Sequence, residues 1–231
     1  MTDSSYTHIV VIADRSGSMS GIADPPQTKA ARTTEGIHAL VRDQQALPGK
    51  TTFSMVDFDT TVQVVERFGD GSACLTWRCQ PRAWTALLDA VGTTIRETGY
   101  QLESMPEHER PGRVFVVIGT DGMENISREF TKAQVRDMIT EQRDKYGWEF
   151  VFIGADIDAF GEAGGMGIDG GSTMSASADS YGVAYATSSN AMTRSRISGQ
   201  SFSYSDKERQ QVKDGLSQAI SDAQQARHGQ K

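Results

Sequence analysis

Asp14, Ser16 and Ser18 alternate in the segment Ala13-Asp14-Arg15-Ser16-Gly17-Ser18-Met19. A tight turn, which Gly17 permits, can aim all three oxygens at one point. Asp121 in Gly119-Thr120-Asp121-Gly122 adds a second carboxylate, and Thr85 in Trp84-Thr85-Ala86-Leu87-Leu88 adds a third hydroxyl. A set built only from hydroxyl and carboxylate oxygens suits a hard cation such as Mg²⁺, and Mn²⁺ accepts the same oxygens. Asp14 and Asp121 together balance a dication, while the three hydroxyls are neutral. A site that is neither over-neutralised nor filled by protein keeps an open, electrophilic position for an anionic oxygen from outside. A storage-type calcium cage would use more carboxylates.

Such a set needs elements that carry positions 14, 85 and 121 to one place. The run His8 to Ala13 is short, apolar and ends on a polar turn, as a buried parallel strand does. Val114 to Ile118 is the strongest buried strand, and it runs directly into Asp121. Leu87, Leu88, Val91 and Ile95 mark a helix that starts beside Thr85 and is expected to end near Gly99. A helix from Asp24-Pro25-Pro26 carries Ala30, Ile37, Leu40 and Val41 and stops at Pro48-Gly49. Thr51 to Phe58 and Val62 to Phe68 read as a hairpin-like strand pair, Leu75 to Cys79 as another short strand, and Glu103 to Arg113 as a surface loop. Thr131 and Gln134 form a capping box for a helix to about Tyr146. Trp148 to Ile153 is then a strand and Asp156 to about Ala163 a helix.

Strands alternating with helices imply crossover connections. The fold class expected is therefore α/β, a doubly wound, mostly parallel sheet flanked by helices, with a helical C-terminal extension. In such sheets ligands bind beyond the carboxyl ends of strands where the strand order reverses, which is where Asp14 and Asp121 fall. After Gly164 the composition shifts to Gly, Ser and Ala, with an edge strand at Thr173 to Ser177 and a helix bearing Tyr181, Ala184, Tyr185, Ser188 and Met192. Ser205 and Glu208 cap a last helix with a thin Val212, Leu216, Ile220 stripe, expected to dock on the body, with another chain as the alternative, and Ala226 to Lys231 is expected to fray. The organisation expected is a domain over 6–165, a packed edge strand and helix over 166–200, and a helix and tail over 201–231.

The chain has 231 residues, 37% of them apolar, and a net charge of −7. This is the composition of a folded domain, and its acidity argues against nucleic acid. No apolar run approaches the ~20 residues needed to cross a bilayer. No basic stretch followed by an apolar core opens the sequence, so no secretory signal is expected and the compartment expected is cytoplasm. Cys74 and Cys79, five apart, point to opposite faces if they lie on a strand and read as reduced structural thiols. His8, His38, His108 and His228 match no metal or triad spacing. Asp57 and Asp59 flank Phe58 at a strand end and read as turn-forming. Glu124 and Asn125 shape either the rim of the Asp121 loop or its turn. Gly161 to Gly171 lacks the ending of a phosphate loop and reads as a connector.

The pattern Asp14-x-Ser16-x-Ser18, a distant Thr85, then Asp121-Gly122 resembles the metal-ion-dependent adhesion site of von Willebrand factor A domains. The resemblance covers about residues 6 to 165, and the strings TALLDA, TDGMEN and WEFVFIGADIDAF look like a bacterial and phage branch of that family. It implies that Ser16, Ser18 and Thr85 are direct ligands, that Asp14 and Asp121 support them directly or through water, and that an Asp or Glu of a partner protein completes the shell. The function expected is a metal-dependent protein-binding module rather than an enzyme. A metal-dependent phosphohydrolase is the alternative, but Ser16 stands where an Asp-x-Asp nucleophile pair would need its second carboxylate, and no histidine lies near the motif. An adaptor for a ring ATPase or a larger assembly is a form of the binding reading that the residues do not separate.

Overall fold

The computed structural model describes residues 1–20 and 28–214. Its central strand, β1 (Asp3–Asp14), is apolar on both faces: Ile9, Val11 and Ala13 enter one apolar cluster, Val10 and Ile12 the other. Only a strand covered on both sides has that pattern. β1 pairs in parallel with β2 (Lys50–Phe58) on one side and β4 (Pro111–Thr120) on the other. β5 (Glu149–Ala155) and β6 (Thr173–Ala176) continue the parallel sheet, and β3 (Val62–Gly69) closes the opposite edge antiparallel to β2. The strand order is β3-β2-β1-β4-β5-β6. The fold is thus α/β, a six-stranded, mostly parallel doubly wound sheet.

Helices cover both faces. Ile37 of α1 (Lys29–Gln45) and Tyr181 and Tyr185 of α6 (Tyr181–Ser198) pack with Ile9 and Val11. Leu87 and Val91 of α3 (Leu87–Ser104), Val135 of α4 (Lys132–Tyr146) and Ala159 of α5 (Ala159–Gly165) pack with Val10 and Ile12. The chain leaves β1 for β2 and later returns on β1's other side as β4. The strand order therefore reverses at the β1/β4 pair, and a crevice opens beyond their carboxyl ends.

Several boundaries differ from the sequence reading. Residues 72–76 form a helical turn, α2, rather than leading into a strand at Leu75 to Cys79. The Glu66 carboxylate explains this, because it accepts the backbone N–H groups of Gly71 and Cys74 at 2.8 and 2.9 Å and so satisfies a turn instead of a ladder. With no strand there, Cys74 and Cys79 do not face apart; both are buried free thiols in the same apolar cluster. α3 runs through Gly99 to Ser104. α5 starts three residues late because Asp156 takes φ 58° and Asp158 caps the helix, its carboxylate accepting the Gly161 N–H. The Thr131–Gln134 capping box is present. The expected helix start at Asp24-Pro25-Pro26 lies outside the described residues, and Thr28 caps α1.

At the C-terminal side, residues 206–214 are helical, and Ser205 and Glu208 cap that segment reciprocally. Val212 is buried in the same cluster as Phe202, Tyr204 and Tyr185, and Arg209 donates to the carbonyls of Thr173 and Gly170. This part of the segment docks on the chain's own body. Leu216, Ile220 and the tail 226–231 lie outside the described residues. Among the described residues no helix is long and apolar enough to cross a membrane.

His8 on β1 is fully buried, stacked on Phe68 with ring centroids 3.8 Å apart. Its Nδ1 meets Thr52 Oγ1 at 2.8 Å, its Nε2 has no partner, and burial pushes its pKa down from 6.5 to about 3. A depressed folded pKa means that stability is complete above pH 6.5. It is lost as pH falls toward 3, because the unfolded chain takes up a proton that the folded chain refuses. The full loss is roughly 5 kcal/mol, of which about 2 kcal/mol falls between pH 6.5 and 5. His8→Leu removes that dependence and leaves the Thr52 hydroxyl paired with Tyr6 at 2.8 Å. Urea midpoints for wild type and variant should therefore converge, or cross in the variant's favour, between pH 7 and 5. A constant gap would show that His8 does not carry the effect.

Candidate metal centre

Asp14 is the last residue of β1, and its fully buried carboxylate is held from two sides. Oδ1 accepts the Ser16 N–H at 2.6 Å, and Oδ2 accepts the hydroxyl of Thr120, the last residue of β4, at 2.5 Å. The first contact shapes the turn after β1, and the second ties it to the neighbouring strand. Ser18 Oγ donates to Asp121 Oδ1 at 2.6 Å. Since that uses its only proton, Ser16 Oγ must be the donor in the 3.0 Å contact between the two serines. A hydroxyl chain thus runs Ser16 to Ser18 to Asp121, directed at a carboxylate and leaving serine lone pairs free.

Thr85 reaches this group through Gly122. A Cβ at position 122 would stand 2.8 Å from Thr85 Oγ1 and 3.6 Å from Ser18 Oγ, so only glycine lets the loops close up. Asn125 also ties the two loops: the Thr85 N–H donates to Asn125 Oδ1 at 3.0 Å, and the Asn125 N–H to the Thr85 carbonyl at 3.2 Å. All five residues singled out in the sequence, Asp14, Ser16, Ser18, Thr85 and Asp121, therefore lie together. Thr85 and Asp121 are buried, whereas Ser18 is exposed, so the group opens to solvent on that side.

Burial raises the Asp14 carboxyl from 3.8 to about 6, against the hydrogen bonds from Thr120 and Ser16, with the Asp121 charge adding to the rise. A buried, crowded carboxylate pair beside free hydroxyl oxygens is the environment a dication would stabilise. Asp121 Oδ2 is also buried, and apart from the ammonium of Lys29 in direct contact it has no hydrogen-bond donor. The residues present thus fit a hard divalent ion. Among the described residues no cluster of three or more His, Cys, Asp or Glu offers another metal site, consistent with a centre that depends on hydroxyls.

Residues the sequence reading missed hold the loops in place. Arg15 is buried and bridges Asp57 Oδ2 at 3.3 Å and Asp59 Oδ2 at 3.0 Å. Arg82 reaches Asp59 Oδ2 at 2.6 Å, and Trp77 Nε1 donates to Asp57 Oδ2 at 2.8 Å. Burial alone would raise the Asp59 carboxyl, but the Arg82 hydrogen bond and its other partners hold it below its ordinary value. Backbone bonds from Arg82 to Arg15, Gly17 to Ala83 and Ala86 to Asp59 complete the tie. Asp57 and Asp59 are thus more than turn formers, since they anchor the loop that ends in Thr85. Glu124 caps its own turn, accepting from Ile126 and Ser127, and also takes the Leu88 N–H at the start of α3. Nothing in the spacing of an Arg-Ser pair and an Asp-Phe-Asp triplet reveals such an ion network before the fold brings them together.

Three solved structures share this architecture. The chain matches proximal thread matrix protein 1 from the mussel byssus at TM-score 0.59 and 13% identity, over 78% of this chain and 46% of that one. It matches the vWF domain of the type V pili tip protein Mfa5 from Porphyromonas gingivalis at TM-score 0.58 and 11% identity, over 87% of this chain and 98% of that one. The mussel protein with a zinc-occupied MIDAS motif aligns at TM-score 0.53 and 16% identity, over 85% and 45%. The chain spans about half the length of the mussel protein. These likenesses show a shared fold, the one that the vWF domain of the pili tip protein carries. No family model matches the chain, and no curated protein matches it.

Proposed function

We propose that this chain is a von Willebrand factor A-type protein-binding module, of the bacterial and phage branch, whose residues Asp14, Ser16, Ser18, Thr85 and Asp121 hold Mg²⁺ or Mn²⁺. The metal keeps one position for an Asp or Glu carboxylate of a partner protein. The observation that carries this reading is the Ser16–Ser18–Asp121 hydroxyl chain closed by Asp14 and Thr85 at the strand-order reversal, with its Ser18 side open to solvent. The zinc-occupied site of the mussel protein, on the same fold, supports a divalent ion here. Trp84 and Met123, each adjacent to or near a site residue, are 65% and 64% exposed and offer apolar rim to a partner.

The reading is of a binder, not an enzyme. Of the described histidines, His8 is committed to Thr52, His38 to the Trp77 carbonyl, and exposed His108 precedes β4 at the far end of the sheet. None stands ready as acid or base beside the five oxygens. The module is taken as 6–165, with 166–200 and 201–231 as its appended parts, and two buried free thiols suit a cytoplasmic setting.

Calorimetric titration of MgCl₂ and MnCl₂ into the full chain, followed by capture from the source cell's lysate, tests this. Heat of binding and a protein partner eluted by EDTA are expected. No heat with either ion, or equal recovery with and without EDTA, would overturn the proposal.

A further inference from the structure

Lys29 breaks a local rule. It is the first residue of α1, where the helix dipole disfavours a cation, and the first turn holds no acid to offset it. Its side chain is nonetheless only 12% exposed, because its ammonium sits directly on Asp121 Oδ2, a buried carboxylate oxygen with no other hydrogen-bond donor. A second carboxylate oxygen, Asp156 Oδ2, lies 3.7 Å from the same nitrogen, on a side chain that is 47% exposed. Asp156 is held at the carboxyl end of β5 by its backbone bond to Ala176 and by the Ala178 N–H on its Oδ1.

We propose that Lys29 is an internal, displaceable cation that occupies Asp121 until the divalent ion arrives and then passes to Asp156, so that it sets the metal affinity of the site. The inference rests on the metal reading of the five-residue centre. A dication beside Asp121 repels an ammonium in contact with that carboxylate, and the two compete for one oxygen. The displaced ammonium needs a short move only, because Asp156 is already within ion-pair reach. In the metal-free protein Lys29 spares Asp121 an unpaired buried charge. In the loaded protein the ion does this instead, and Lys29 becomes a liability.

Two measurements on the full chain test this: calorimetry with MnCl₂, and thermal melting in EDTA and in excess MnCl₂. Lys29→Met is expected to bind Mn²⁺ on the order of tenfold more tightly than wild type. It should melt below wild type in EDTA and at or above it in Mn²⁺, a reversal that loss of packing alone does not produce. Asp156→Asn should weaken Mn²⁺ binding in the wild-type background more than in the Lys29→Met background, since only the former has an ammonium to receive. A wild type that binds Mn²⁺ while Lys29→Met binds it no more tightly overturns the Lys29 inference and leaves the metal centre standing. The same holds if Asp156→Asn has equal effects in both backgrounds. A wild type that shows neither heat nor a metal-dependent melting shift overturns both.

Discussion

Asp14→Asn is expected to abolish measurable Mg²⁺ binding and yet to melt above wild type in EDTA at pH 7.5. The carboxyl is raised by burial from 3.8 to about 6, so the metal-free fold favours its protonated form. That contribution, on the order of 3 kcal/mol, is complete below pH 3.8, is lost as pH rises through 6 and is absent at pH 7.5. An asparagine keeps the neutral form at every pH. Its amide oxygen can accept the Ser16 N–H, and its amide nitrogen can donate to Thr120 Oγ1, whose own proton then turns to the Gly122 carbonyl, already at 3.0 Å. The hydrogen bonds survive while half the negative charge available to a dication disappears, which should weaken binding about 100-fold or more. In saturating Mg²⁺ the order inverts, because only wild type gains stability from the ion. Melting curves at pH 5 and 7.5, with and without Mg²⁺, read both arms. A variant that binds Mg²⁺ like wild type, or that melts below it in EDTA at pH 7.5, would contradict the assignment.

The gathering of the five oxygen-bearing residues was legible in the sequence while the scaffold that holds them was not. Asp14-x-Ser16-x-Ser18 follows an apolar run that can only be a covered strand, and Asp121 follows another. Strand-end placement and oxygen chemistry can be read from neighbours in the chain. Thr120 could not be, because its role depends on β4 lying beside β1, which brings its hydroxyl to Asp14 across 106 positions. Lys29 carries no signal in the sequence that ties it to the centre, and only the fold sets its ammonium on Asp121. The helix at 72–76 was misread for a related reason: the Glu66 carboxylate that caps it lies on the preceding strand, where alternation alone gives it no such task. Periodicity reports what an element buries, not which distant polar group will satisfy its ends.

The buried ion network is the extreme case, and its removal should be felt at the metal as well as in stability. In Arg15→Met the guanidinium that sits between Asp57 and Asp59 is replaced by a side chain of similar reach and no charge. Arg15 is 8% exposed, and its two carboxylate partners are 5% and 2% exposed, so the orphaned acids do not recover their hydration. Breaking a buried pair from one side costs about 3 to 5 kcal/mol, here moderated by Arg82 and Trp77, which stay on Asp59 and Asp57. The surviving negative pair repels itself, and the Asp57–Asp59 corner is the anchor for the loop that ends in Thr85 through the Ala86 N–H on the Asp59 carbonyl. Thr85 should therefore lose its fixed position, and metal affinity should fall about tenfold although Arg15 touches none of the five oxygens. Arg15→Lys restores the charge but not the two-sided reach, and is expected to fall between the variant and wild type on both scales. Denaturation midpoints give the stability arm. Mn²⁺ titration at a temperature where all three proteins are folded gives the other. If Arg15→Met lowers the midpoint but leaves Mn²⁺ affinity untouched, the network supports the fold alone and Thr85 is placed by its Asn125 contacts without it.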